Sequence, residues 1–285
     1  MEACSVNRYT DAVRRRPPNV NSILLRLQRF LDLFVTLCRD LDLYLNIDKC
    51  KVMSFSRSRS LILFDYEING ILVSRVNLHN DLGITFDTKL NFQSHIGKVV
   101  TSSWKMFGFV TRSSRNLYSI KAIKAIFFSL VRSRLEYASL VWSPIHQVYS
   151  TKIDKIQNKF LKFLAWKLDG VYPEQGTDYE ALRNRFQLFS LQEGRFFACT
   201  MFIARLLQDK IDCGRLLSLI DFKVPVMRIG PPFHLPLVVT NFATSALIYR
   251  LMESFNYFHN LDNNLEPYLV SSINSFNRLL RQNHV

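Results

Sequence analysis

Hydrophobic and polar positions follow two different periods along the chain. From Leu45 to Asp87 the apolar runs are short and separated by turn residues. Val52-Met53-Ser54-Phe55 alternates as a strand does. Tyr66-Glu67-Ile68 and Ile71-Leu72-Val73 flank Asn69-Gly70. That dipeptide is the strongest short hairpin signal, because both central residues of a type I′ turn need positive φ. Leu82-Gly83-Ile84-Thr85-Phe86 predicts a further strand. A small antiparallel sheet is therefore expected here.

Elsewhere the period is helical. In Ser22 to Leu45, residues Leu24, Leu27, Leu31, Phe34, Cys38, Leu41 and Leu45 share one face, which should pack on the sheet. Further helices are predicted over Ser94 to Arg115, Ser119 to Tyr137 and Ser150 to Leu168. In the last of these, Ile153, Ile156, Phe160 and Leu164 form the apolar stripe. Gly170 to Asp178 reads as a loop. Helices resume over Tyr179 to Arg185, Leu188 to Gln208, Thr244 to Phe255 and Glu266 to Arg281. Val224 to Leu237 holds four prolines and reads as an extended connector. The expected class is α+β, mostly α. The expected parts are a flexible basic leader (1–21), a helix with a small antiparallel sheet (22–93), a basic helical region (94–170) and a helical C-terminal region (171–285).

Charge sharpens this picture. The net charge is +14, and Ser94 to Gly170 holds thirteen Lys/Arg against three Asp/Glu. Lys152, Lys155, Lys159 and Lys162 recur at three- and four-residue spacing, away from the apolar stripe. Like charges so placed repel by a few tenths of a kcal/mol per pair, and a polyanion along them relieves it. The stripe reads either as a polyanion-binding surface or as a solvated helix exterior. Five scattered cysteines without a CxxC fit reduced thiols in a cytoplasmic or nuclear protein. No signal-peptide pattern opens the chain, and no run of about 18 apolar residues occurs to span a membrane.

Catalytic constellations are scarce. The six histidines lie far apart, and no GxSxG, GxGxxG or P-loop is present. No two aspartates are adjacent. Asp40 and Asp42 diverge on a helix, whereas two-metal phosphoryl chemistry needs carboxylates converging on ions about 4 Å apart. No catalytic residue, metal ligand or cofactor is assigned.

One ordered motif set is informative. It begins Leu45-Asn46-x-x-Lys49-Cys50-x-x-Met53-x-Phe55, Tyr66-x-Ile68-Asn69-Gly70, then Asp81-Leu82-Gly83-Ile84-x-Phe86-Asp87-x-Lys89-Leu90 and His95-Ile96. It resembles the end of the palm in reverse transcriptases of LINE-type (non-LTR) retrotransposons, jockey-like elements in particular. Gly108-Phe109-x-x-Arg112, Val131-Arg132-Ser133-x-Leu135-Glu136-Tyr137-x-Ser139-x-Val141-Trp142-x-Pro144 and Ile156-Gln157-x-Lys159-Phe160-Leu161 resemble the thumb. Asp221-Phe222-x-Val224-Pro225, Arg228 and Thr240-Asn241-Phe242 resemble the tail of the same polyproteins.

The resemblance implies an RNA-directed DNA polymerase origin. The complete enzyme uses Mg²⁺; this sequence lacks the Asp-Asp dipeptide, the earlier palm carboxylate and the fingers. Lys49 matches a palm lysine near the leaving pyrophosphate, and it equally reads as a surface lysine. Gly83 matches the primer grip, or marks a bend in a strand. Trp142 and Tyr137 would stack on bases or sugars, or belong to the core. Lys98, Lys105, Arg112, Arg115, Lys121, Lys124, Arg132, Lys152, Lys155, Lys159 and Lys162 would contact phosphates of RNA or an RNA–DNA duplex without reading sequence. The alternative is a helical protein-interaction module with no nucleic-acid role, its suspect surface the exposed side of Ser22 to Leu45.

Overall fold

The computed structural model describes residues 20–58, 62–223, 230–238 and 240–261. The expected leader, the helix over Glu266 to Arg281 and part of the proline-rich connector lie outside these residues. The protein is mostly helical, with two antiparallel sheets of two strands each. It divides into two compact units, Met1–Leu90 and Asn91–Val285.

The first unit begins with helix α1 (Val20–Asp40). The helix stops short of Leu45 because Asp42 turns left-handed at φ 55°. Leu43 N–H then donates to Cys38 O at 2.8 Å and Asp42 N–H to Arg39 O at 3.1 Å. Those two bonds satisfy the last carbonyls in a Schellman closure. Strands β1 (Glu67–Ile68) and β2 (Ile71–Leu72) pair across the Asn69-Gly70 turn, whose φ values are 52° and 74°. The expected hairpin is there, with both residues left-handed as a type I′ turn requires.

Two expectations fail in this unit. Leu82 and Gly83 are not strand residues: with φ 47° and 80° they form the turn joining β3 (Leu78–Asp81) to β4 (Ile84–Asp87). Val52 to Phe55 is not a full strand, since Val52 makes only an isolated parallel bridge to Arg75. The α1 face also packs less than its periodicity implies. Cys38 is buried, but Leu27, Phe34 and Leu41 are exposed, as are Ile23, Phe30 and Leu37.

The second unit is helical. Helix α2 (Gln93–Ser113) packs against α6 (Gln147–Asp169). Between them in sequence, Ser119 caps α3 (Ile120–Phe127) by accepting from Ala122 N–H. The chain then widens into a π segment (Phe128–Arg132) and returns to α4 (Ser133–Glu136) and α5 (Ser139–Trp142). The expected single helix over Ser119 to Tyr137 is thus interrupted. Such π turns insert a residue and rotate the next helical turn about its axis. Ile96, Val110, Ile123, Phe127, Val131, Leu135, Ile153, Ile156, Phe160 and Leu164 are buried here, so the stripe foreseen on α6 is core. Phe127 and Phe160 stack with centroids 3.6 Å apart and planes within 3°.

Beyond α6 come α7 (Tyr179–Phe186) and α8 (Leu191–Leu207). Helix α8 starts at a reciprocal capping box. Ser190 Oγ accepts from Glu193 N–H, and Glu193 Oε2 accepts from Ser190 N–H. The Ser-x-x-Glu spacing encodes this start. After α9 (Gly214–Leu217) and the short α10 (Asn241–Thr244), α11 (Leu247–Leu261) packs on α8. Their shared core includes Met201, Ile203, Leu206, Leu251, Phe255 and Phe258.

Candidate nucleic-acid interface

Two helices of the second unit each carry a row of exposed cations. Lys98, Lys105 and Arg112 lie seven residues apart on α2 and all are exposed. Seven residues are nearly two turns, so the three form one axial row about 10 Å apart. On α6, Lys152, Lys155 and Lys159 are exposed along one stripe, to one side of buried Ile153, Ile156 and Phe160. The helix is built from the inside: its apolar positions bury, and the intervening lysines face water. The Lys152 ammonium lies 5.6 Å from the Tyr149 ring centroid, and that of Lys159 lies 5.1 Å from Tyr172. Both contacts brace a lysine while leaving its charge outward. Arg115 and Lys121 are exposed between the two helices in sequence.

Three of the eleven basic positions expected there are built into the fold instead. Lys162 is buried, and its Nζ donates to Glu174 O at 2.6 Å and to Pro173 O at 3.4 Å. It ties the loop after α6 to that helix and leaves the lysine stripe. Arg132 is also buried. Its Nε donates to Glu136 Oε1 at 2.8 Å and its Nη1 to Phe189 O at 3.0 Å. Gln157 Nε2 donates to the same Phe189 oxygen at 2.9 Å. Lys124 is half-buried and its Nζ donates to Phe186 O at 2.6 Å. A cation already bonded to backbone carbonyls costs those bonds if it turns to a phosphate.

Gly194 supports the Arg132 arrangement, and nothing in the pattern of the sequence marks it. A Cβ there would sit 2.5 Å from Glu136 Oε1 and 3.2 Å from Arg132 Nη2. The bare glycine lets α8 approach the ion pair closely.

The aromatic candidates separate. Trp142 is fully buried, its Nε1 donates to Tyr137 O at 2.7 Å, and it meets His95 edge-on. It is a core residue. Tyr137 itself is exposed. In the first unit, Lys49 is exposed on a single 3₁₀ turn (Ile47–Lys49), and Asn46 Oδ1 accepts from its N–H. Gly83 occupies the hairpin turn described above. Among the described residues, no three His, Cys, Asp or Glu side chains are grouped to hold a metal ion. Among the same residues, no helix is long and apolar enough to cross a membrane.

Comparison with known proteins gives one informative match. No family model matches the chain, and no solved structure matches it. The chain is 27% identical over 164 residues to the RNA-directed DNA polymerase from mobile element jockey of Drosophila melanogaster. The match covers 54% of this chain and 17% of that protein. This distant likeness supports a reverse-transcriptase-like relationship and a retrotransposon origin.

Proposed function

We propose that the chain corresponds to the palm end, thumb and tail of a non-LTR retrotransposon reverse transcriptase, and that it binds nucleic acid without polymerising. The observation that carries this reading is the pair of exposed cation rows, Lys98-Lys105-Arg112 and Lys152-Lys155-Lys159, on two helices packed together. Rows of this kind neutralise phosphates and read no bases. The substrate class is RNA or an RNA–DNA duplex, bound non-specifically. Catalysis is outside the reading, because the sequence has no adjacent aspartates. The test is a salt titration of binding to an RNA–DNA primer–template. About six phosphate contacts give a slope of log K against log salt near −5. Absence of binding at low salt refutes the reading.

A second reading is a helical protein-interaction module without a nucleic-acid role. It is favoured by the exposed apolar residues of α1, Ile23, Leu27, Phe30, Phe34 and Leu37 among them. Exposed apolar patches of this extent mark interaction surfaces. Reversing the α6 charges separates the two: it abolishes the first activity and spares the second.

A further inference from the structure

A cavity of about 180 Å³ opens in the second unit where the start of α6 meets α8 and α11. One water needs only about 10–15 Å³, so the space admits a tetrahedral oxyanion. Arg195, Arg250, Glu253, His146, Gln147 and Ser150 are in its wall.

Arg195 is the unexplained group. It is 7% exposed, yet among the described residues its only hydrogen bond is a long one, Nη2 to Ser150 Oγ at 3.4 Å. Its Nη1 is buried with no partner among them. A guanidinium carries five donors, and burying it without matched acceptors is costly. The charges of Asp154 and Glu136 act on Arg195, but neither carboxylate hydrogen-bonds it. Asp154 accepts from Ser150 Oγ, and Glu136 holds Arg132. Arg250 adds a second positive charge that repels the first. Arg250 is itself satisfied, with Nη2 on Leu140 O at 2.6 Å and Nε on Ser245 O at 2.9 Å.

The start of α6 adds to this field. His146, Gln147 and Ser150 bring the first turn of a 23-residue helix to the cavity wall, and His146 supplies no side-chain cap. Uncapped N-terminal N–H groups and the helix dipole both favour an anion. Glu253 is the opposing charge. Burial raises its carboxyl above the usual range while Arg250 pulls it back.

We propose that this cavity binds a single phosphate group, held by the under-bonded Arg195 guanidinium in its wall and the first turn of α6. The site is separate from the exposed lysine stripe and does not depend on nucleic-acid binding.

Thermal unfolding and calorimetry of the full chain with inorganic phosphate, against chloride at matched ionic strength, test it. A saturating rise in Tm is expected, roughly 5 °C at a hundredfold excess over Kd. Arg195→Met should be at least as stable as the wild type in chloride and should lose the rise. The double variant Lys155→Glu, Lys159→Glu should keep it. Adenosine monophosphate distinguishes the source. Saturation at a lower concentration than inorganic phosphate assigns a terminal phosphate ester; no effect assigns the free ion. Equal Tm in phosphate and chloride, or an undiminished rise in Arg195→Met, overturns the proposal. If Arg195→Met does not fold, calorimetry on the wild type decides, and absence of phosphate heat overturns it.

Discussion

Gln28 pairs with both backbone groups of Glu67. Its Nε2 donates to Glu67 O at 2.8 Å and its Oε1 accepts from Glu67 N–H at 3.1 Å. The side-chain amide takes the place of a neighbouring strand on an edge that would otherwise stay open. Helix α1 is therefore tied to the hairpin by a polar clamp on the same face as half-buried Leu24, Leu31 and Val35 and buried Cys38. Gln28→Leu removes both bonds and should lower the stability of the first unit by about 1–2 kcal/mol, given roughly 1 kcal/mol per net bond. Gln28→Glu should cost at least as much, because a carboxylate would face the Glu67 carbonyl without a proton to donate. Urea unfolding followed by amide exchange at Glu67 reads both effects.

The stacked pair Phe127 and Phe160 locks α3 to α6. Phe107 adds an edge-on contact to Phe127, with centroids 6.4 Å apart. Both stacked rings are at most 1% exposed, so neither can be shortened without leaving a void. Phe160→Ala should cost about 3–5 kcal/mol, and Phe160→Leu less, because it refills part of the space. Equilibrium unfolding in urea of the two variants gives the ordering.

The basic positions should split by variant. Lys155→Glu with Lys159→Glu should leave stability within about 0.5 kcal/mol, as expected of exposed sites. The same pair should weaken binding to an RNA–DNA duplex and flatten its salt dependence by about two units of slope, near 0.9 per contact. Lys162→Met should do the opposite. It removes the Lys162 bonds to Pro173 O and Glu174 O, the latter still served by Thr177 Oγ1 at 2.6 Å, costing about 1–2 kcal/mol, while the salt slope stays unchanged. A Lys162→Met variant of normal stability and reduced slope would return that lysine to the surface stripe.

Lys162 shows where sequence reading stops. Its spacing from Lys155 and Lys159 is the same as theirs from Lys152, and helical period alone gives it the same exposure. The loop after α6 folds back over it, and Phe160 to Ala165 are all buried. A contact made from eleven residues away leaves no trace in a local pattern. Arg132 is hidden for a similar reason: it ends the π segment and meets Phe189, 57 residues away.

The turns show the same contrast. Asn69-Gly70 was legible because both residue types tolerate positive φ. Leu82-Gly83 was not, because leucine at φ 47° has no turn signature and its neighbours are apolar. Gly83→Val should destabilise the second hairpin, since φ of 80° is strained for a β-branched residue. The helices fared better. The α6 core stripe and the hairpin rest on short-range periods, and short-range periods are what a single sequence displays.

His95 supplies the pH prediction. It is 3% exposed in the first turn of α2, edge-on to Trp142 with centroids 5.1 Å apart. Burial lowers its pKa below the ordinary 6.5, and the Lys98 charge lowers it further. In the unfolded chain His95 takes up a proton near pH 6.5; in the folded chain it stays neutral to lower pH. Between those two values the unfolded state binds more protons, so stability falls as pH falls. The contribution is complete above about pH 6.5 and is lost as pH drops through the folded value. His95→Phe keeps a ring against Trp142 and cannot titrate. The stability difference between wild type and variant should therefore be constant from pH 8 to 7 and shift against the wild type below about 6.5, by no more than about 1.4 kcal/mol per pH unit for one proton. Urea unfolding at a series of pH values measures it. A difference that does not change with pH would show that His95 takes up its proton as readily when folded as when unfolded.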